Sequence, residues 1–184
     1  SYSGSIQNGS GTVALTKQGS GALSLSGTSS YTGGTVIQTG TINWNGNSAL
    51  GAGPVTLNNA STGVANTSLN RNGAGTLANN IVVANQGTGA VTIGNATGAT
   101  SVTYNGTLAL GRTTRLEAGN ASGTATFNGL ISGAGGIVKR GDGTVALTNA
   151  SNSFSGDVLV QGGTLSASSL ATLARPRTAA ACGA

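Results

Sequence analysis

The chain has 184 residues, 33 of them glycine, with no histidine or methionine, only 6% charged residues and a formal net charge of +5. Gly, Ser, Thr and Asn dominate between short apolar runs; each disfavours helix interiors through backbone entropy or competing side-chain hydrogen bonds, which excludes a helical protein. An apolar content of 37%, with Val, Leu and Ile spread evenly, argues against disorder.

Taken in chain order, a first unit opens at Tyr2-Ser-Gly-Ser-Ile6 and runs to Trp44. Within it, Leu15 to Asn43 reads LTKQGSGALSLSGTSSYTGGTVIQTGTIN. The alternation in Ala22-Leu-Ser-Leu-Ser26 predicts a half-buried strand, and Gly33-Gly34 predicts a turn. Residues 45–126 are less regular but carry the same alternation at Val55-Thr-Leu57 and Val91-Thr-Ile93. From Phe127 to Ala167 the opening pattern returns, and Ile137 to Ser166 reads IVKRGDGTVALTNASNSFSGDVLVQGGTLS. Lys17 aligns with Lys139, Gly19 and Gly21 with Gly141 and Gly143, and Leu25 with Leu147. Tyr31 aligns with Phe154, Gly33 with Gly156, Gln38 with Gln161, and Gly40-Thr41 with Gly163-Thr164. Each unit is about forty residues long, a period that belongs to repeat architectures.

Turns recur about every eight to twelve residues, a spacing that also suits a sandwich or a barrel. Matching Leu, Ile and Val positions in near-identical units favour stacking like on like, and so an all-β solenoid, a β-helix. At roughly 20 to 25 residues per coil, residues 1–173 make about seven or eight coils. In that arrangement Leu25 and Leu147, and Ile42 and Leu165, are interior rungs, while the Ser, Thr and Asn between them face water. Tyr31 and Phe154 close their units by packing over the turn. Trp44, opposite Ala167 in the other copy, either plugs a coil or sits on a contact surface. Arg71, Arg112 and Arg115 read as solvated. Residues 174–184 break the pattern with Arg175-Pro-Arg177 and Ala179-Ala-Ala-Cys182 and are set apart as a disordered or extraneous tail. The rest looks like an interior piece of a longer protein. Unpaired strand edges at the two ends of such a rod lead to the expectation of end-to-end self-association.

The pattern K-x-G-x-G-x-L-x-L, a short spacer, aromatic-x-G, a β-branched run and G-T-L resembles the passenger-associated transport repeat of bacterial autotransporters. Lys17, Gly19, Gly21, Tyr31, Gly33 and Gly40 define it in the first copy; Lys139, Gly143, Phe154, Gly156 and Gly163 do so in the second. The resemblance implies a right-handed parallel β-helix, exported through the periplasm and outer membrane to the cell surface or beyond. It also implies an outer-membrane translocation barrel as partner and a role as a stalk that assists export. The lone Cys182 allows no intrachain disulfide, which suits a chain threaded through a narrow pore.

Catalysis finds little to work with. The acids are Glu117, Asp142 and Asp157, and the last two align with Ser20 and Gly34, so both occupy turn positions that accept small residues. Without histidine, and without a Cys/His or acidic cluster, no metal site or cofactor is expected, and the sequence reads as a non-enzyme. The basic residues are scattered and form no stripe interleaved with aromatics, so nucleic acid is not an expected partner. Arg140-Gly141-Asp142 is a tripeptide used for receptor recognition, since a protruding carboxylate can ligate a receptor metal while the guanidinium pairs with an acid. It makes an adhesin, binding a host receptor or glycan, the alternative to the stalk. Flat threonine rows such as Thr124-Ala-Thr126 suggest an ice-binding surface as a lesser option.

Overall fold

A computed structural model describes residues 1–95 and 100–169. Among these the secondary structure is eighteen short strands and no helix. They are β1 (Leu15–Lys17), β2 (Ala22–Leu25), β3 (Thr35–Ile37), β4 (Gly40–Trp44), β5 (Val55–Leu57) and β6 (Thr67–Asn70). Then come β7 (Gly75–Leu77), β8 (Ile81–Val83), β9 (Val91–Asn95), β10 (Ser101–Tyr104), β11 (Leu108–Leu110) and β12 (Thr114–Ala118). The last six are β13 (Thr124–Phe127), β14 (Ile131–Ser132), β15 (Ile137–Arg140), β16 (Thr144–Leu147), β17 (Val158–Val160) and β18 (Thr164–Ala167). The strands stay short because Gly and Asn interrupt every alternating run and turn the chain.

The strands stack into three parallel sheets, which makes the fold the β-solenoid that the repeats predict. The first sheet has the order β1-β3-β5-β8-β11-β14, the second β2-β4-β6-β9-β12-β15-β17, and the third β7-β10-β13-β16-β18. Seven strands in the second sheet give six steps, or about 29 Å of rod at the usual inter-strand spacing. The stack makes about six turns, fewer than the seven or eight expected, because the middle coils are long. Thr35 pairs with Val55, a step of 20 residues, whereas Val55 with Ile81 and Ile81 with Leu108 are steps of 26 and 27.

Register creates ladders of like residues. Ile42, Leu69, Ile93 and Leu116 follow one another inside the second sheet, and Val55, Ile81, Leu108 and Ile131 inside the first. All eight are buried. In the third sheet the inward row runs Leu77, Tyr104, Phe127, Leu147. Its two rings stack at 4.6 Å with only 7° between their planes, a consequence of parallel in-register pairing that places one aromatic over the next. The outward rows of this sheet are Thr76-Thr103-Thr126-Ala146-Ser166 and Ser101-Thr124-Thr144-Thr164.

Leu25, Ile42 and Leu147 are interior rungs as expected, but Leu165 is only half-buried because β18 ends the order of its sheet. Tyr31 is fully buried, its hydroxyl 2.6 Å from Thr35 Oγ1, and Phe154 is buried too. Not every threonine faces water. Thr35, Thr67 and Thr114 point inward and are completely buried, while Val36 between Thr35 and Ile37 points outward. A three-residue run of β-branched side chains carries no sign of which face is which. The tail at 174–184 lies outside the described residues.

The two repeat copies occupy different sheets. Lys17 and Lys139 align in sequence, yet β1 belongs to the first sheet and β15 to the second; β2 belongs to the second and β16 to the third. Likewise β3 and β4 lie in the first and second sheets, and their counterparts β17 and β18 in the second and third. Each repeat therefore spans two coils, pairing its own halves as β1 with β3 and β2 with β4, or β15 with β17 and β16 with β18. The aromatic-bearing spacer fills the remaining side of the coil. In the first copy it bonds along the third side, Ala52 N–H to Tyr31 O at 2.9 Å; in the second it lies over β14, Ser153 N–H to Ile131 O at 2.8 Å.

Candidate functional site

The candidate functional residues of this chain are its few charges, and four of the nine described ones, Lys17, Arg71, Arg112 and Lys139, turn onto the backbone of the coil. At each corner the chain leaves one sheet for the next, so its carbonyls lose their ladder partners and need donors from elsewhere. Lys17 supplies them at the corner between β1 and β2. Its Nζ donates to Gln18 O at 2.8 Å, to Gly19 O, and to Thr39 O in the following coil at 3.1 Å. Lys139 does the same between β15 and β16, donating to Arg140 O at 2.9 Å, to Gly141 O, and to Gly162 O at 2.8 Å. An ammonium has three donors and no acceptor, so each lysine spends all three on backbone. The intervening glycines, Gly19 and Gly141, share a φ of +78°. The K-x-G spacing is thus the shape of a clamp: a lysine folded back over its own turn, with glycine where the turn becomes left-handed.

The second half of the repeat completes the same object. Gly40 and Gly163 lie over the K-x-G-x-G corner of the preceding coil, with Thr41 N–H bonded to Gly21 O at 3.3 Å and Thr164 N–H to Gly143 O at 3.1 Å. Gln38 and Gln161 donate their backbone N–H groups to Lys17 O and Lys139 O at 3.0 and 2.9 Å. The repeat-defining residues Lys17, Gly19, Gly21 and Gly40, and Lys139, Gly141, Gly143 and Gly163, therefore meet at one corner of each copy. Tyr31, Gly33, Phe154 and Gly156 sit on the spacer side. There Gly33 N–H bonds Val13 O, and a Cβ at Gly156 would lie 2.3 Å from Gly136 N.

Arg71 and Arg112, expected in solvent, are further clamps. Arg71 is buried, its Nε and Nη2 donating to Ala74 O and its Nη1 to Trp44 O at 3.2 Å, with the guanidinium carbon 4.5 Å from the Trp44 ring centroid. Arg112 reaches Gly87 O, and Thr88 O at 3.1 Å. The sequence signal was available in part. Arg71 follows Trp44 in the ladder of the second sheet, since Asn43 pairs with Asn70, but that register appears only when coil lengths are known. Trp44 itself is a buried plug, edge-on to Tyr104 at 5.8 Å and 71°. Burial pushes the pKa of Lys17, Lys139 and Arg71 below their ordinary values; Asp142 and Glu117 oppose this at Lys139, and Tyr104 opposes it at Arg71. Burial raises the pKa of Tyr104.

What faces water is correspondingly sparse in charge. Arg115, Glu117 and Arg140 lie on the outer face of the second sheet, where Glu117 and Arg140 are direct cross-strand partners. Arg140 and Asp142 are exposed on the turn that Lys139 holds, and they replace Gln18 and Ser20 of the first copy without altering its form. Asp157 is exposed at the entry to β17. Among the described residues no cluster of three or more His, Cys, Asp or Glu side chains could hold a metal.

Comparison with known proteins agrees with this geometry. Residues 15–43 and 137–167 match the Passenger-associated-transport-repeat family, the two segments built around Lys17 and Lys139. The chain is 34% identical over 169 residues to the adhesin BmaC autotransporter of Brucella suis biovar 1 (strain 1330), an alignment covering 88% of this chain and 4% of that protein. The chain thus spans a small fraction of the length of the curated relative it matches. No solved structure matches. Two clamp-bearing repeats in a parallel solenoid, and a likeness along most of the chain to an autotransporter, show that the chain belongs to the passenger-associated-transport-repeat solenoids of autotransporter passengers, which are carried through the outer membrane to the cell surface or beyond.

Proposed function

We propose that the chain is a structural stalk segment whose stacked coils assist the export of the passenger that carries it. The observation behind this reading is where the chemistry goes: Lys17, Arg71, Arg112 and Lys139 are all spent on backbone carbonyls of the coil. Each coil that stacks adds apolar burial through nearest-neighbour contacts alone, so folding outside the membrane biases the chain outward. The partner in that role is an outer-membrane translocation barrel. Deleting residues 137–167 from the passenger is expected to lower its surface display, measured by antibody labelling of intact cells. Display equal to that of the undeleted passenger would sink the reading.

A second reading is adhesion through Arg140-Gly141-Asp142 to a host receptor or glycan. It is favoured by the exposure of both charged side chains on a turn whose backbone Lys139 fixes, because a preorganised turn loses little entropy on binding. Asp142→Ala is expected to reduce binding of this chain to receptor-bearing cells by about ten-fold, the loss typical of a charged anchor. The fold should be unchanged, since Ser20 stands at the same position in the other copy. Equal binding by both forms would remove this reading.

A further inference from the structure

We infer that the lysine of each repeat is a latch that makes two successive coils one opening unit; its use in export rests on the stalk reading above. The lysine bonds are asymmetric along the chain. Two of the three Nζ bonds close the lysine's own corner, but the third goes forward, from Lys17 to Thr39 and from Lys139 to Gly162, 22 and 23 residues on. Until the second coil is in place the ammonium keeps one donor for water. Once it is in place the lysine is sealed in, 7% exposed at position 17 and fully buried at 139. The glycine of the G-T pair is what allows the seal. A Cβ at Gly40 would stand 2.8 Å from Lys17 Nζ and 2.4 Å from Gly19 O, and a Cβ at Gly163 would stand 2.3 Å from Gly143 O and 2.6 Å from Gly141 O. The two arginine clamps differ in direction. Arg71 reaches back to Trp44 and Arg112 back to Gly87 and Thr88, so they tie a coil to the one before it.

The motif therefore has its length for a mechanical reason. K-x-G-x-G on one coil and G-T on the next are two halves of one lock, and neither half buries its polar groups without the other. In the solenoid the latches sit near opposite ends, joining β1 and β2 to β3 and β4, and β15 and β16 to β17 and β18.

Native-state hydrogen exchange on the whole chain tests this, using Lys17→Met and Lys139→Met, which keep an unbranched stem and remove the donors. Lys17→Met should speed exchange of the β1 and β2 amides, and Lys139→Met that of the β17 and β18 amides, each by about ten-fold or more, with β9 and β12 unchanged in both. Lys139→Arg should restore part of the protection, since guanidinium groups gather corner carbonyls elsewhere in the same rod. Exchange that is unchanged at both ends, uniform acceleration through the stack, or failure of both variants to fold would each overturn the latch. Local acceleration combined with undiminished display of the same variants in a passenger would instead leave the latch standing and overturn the export reading.

Discussion

Trp44→Ala should destabilise the chain by about 4 kcal/mol, the middle of the range for removing a large buried aromatic. The indole is completely buried, edge-on to Tyr104, and lies in the ladder between Leu25 and the coil of Arg71. Truncation leaves a void inside the rod and takes from Arg71 the ring face against which its guanidinium is packed. The charge would then be buried beside a cavity, and losing the partner of a buried charge costs more than losing an apolar contact of equal size. Trp44→Phe keeps a ring and should recover about half of the loss. Denaturant midpoints followed by circular dichroism provide the measurement, because the chain has a single tryptophan and fluorescence disappears with it. A loss under about 1 kcal/mol would mean that the coil collapses around the site and that the plug is not what holds it open.

Gly40→Ala is the second large effect, at about 3 kcal/mol, and it separates backbone strain from steric conflict. Gly40 has a φ of +78°, and its added Cβ would lie 2.4 and 2.6 Å from two backbone carbonyl oxygens, Gly19 O and Gly21 O. Backbone cannot move aside as the end of a side chain can, and the carbonyls concerned belong to the Lys17 corner. Gly63 provides the control: its φ is +58°, but a Cβ there meets nothing within 4 Å. Gly63→Ala should therefore show the left-handed penalty alone, about 1 to 2 kcal/mol. Equal losses at the two positions, in the same thermal or denaturant assay, would show that the contact between the repeat halves contributes nothing.

Much of the fold was legible because alternation and repetition are both local signals. Leu25, Ile42 and Leu147 sit where the alternation places them, and Tyr31 and Phe154 are buried in their spacers. The inward turn of Thr35, Thr67 and Thr114 was not legible, because threonine and valine fill the same outline and differ only in a hydroxyl. The role of the basic residues was hidden for another reason. Lys17 and Lys139 stand out as repeated residues, with two of their carbonyl partners one and two residues on, but the third partner, one coil away, depends on coil length, which varies from 20 to 27 residues in the first sheet. Arg71 and Arg112 have no counterpart at all in the copies, and only the register of stacked strands brings them to the corners they hold. The exposed turn Arg140-Gly141-Asp142 could be read directly, since it replaces residues of a known corner without changing the corner.

The shift of the second repeat by one sheet has a consequence for valency. The turn at Gln18 to Ser20 lies where the first sheet gives way to the second, and the turn at Arg140 to Asp142 where the second gives way to the third. The two therefore flank opposite long edges of the second sheet, five strands apart, and a ligand touching both must cross that sheet obliquely over about 24 Å of rod. An antibody or receptor that recognises one such turn does not find the next directly above it. Tandem copies laid out as a spiral give avidity only to partners with a linker long enough to follow it, whereas a partner of rigid, linear form engages them one at a time.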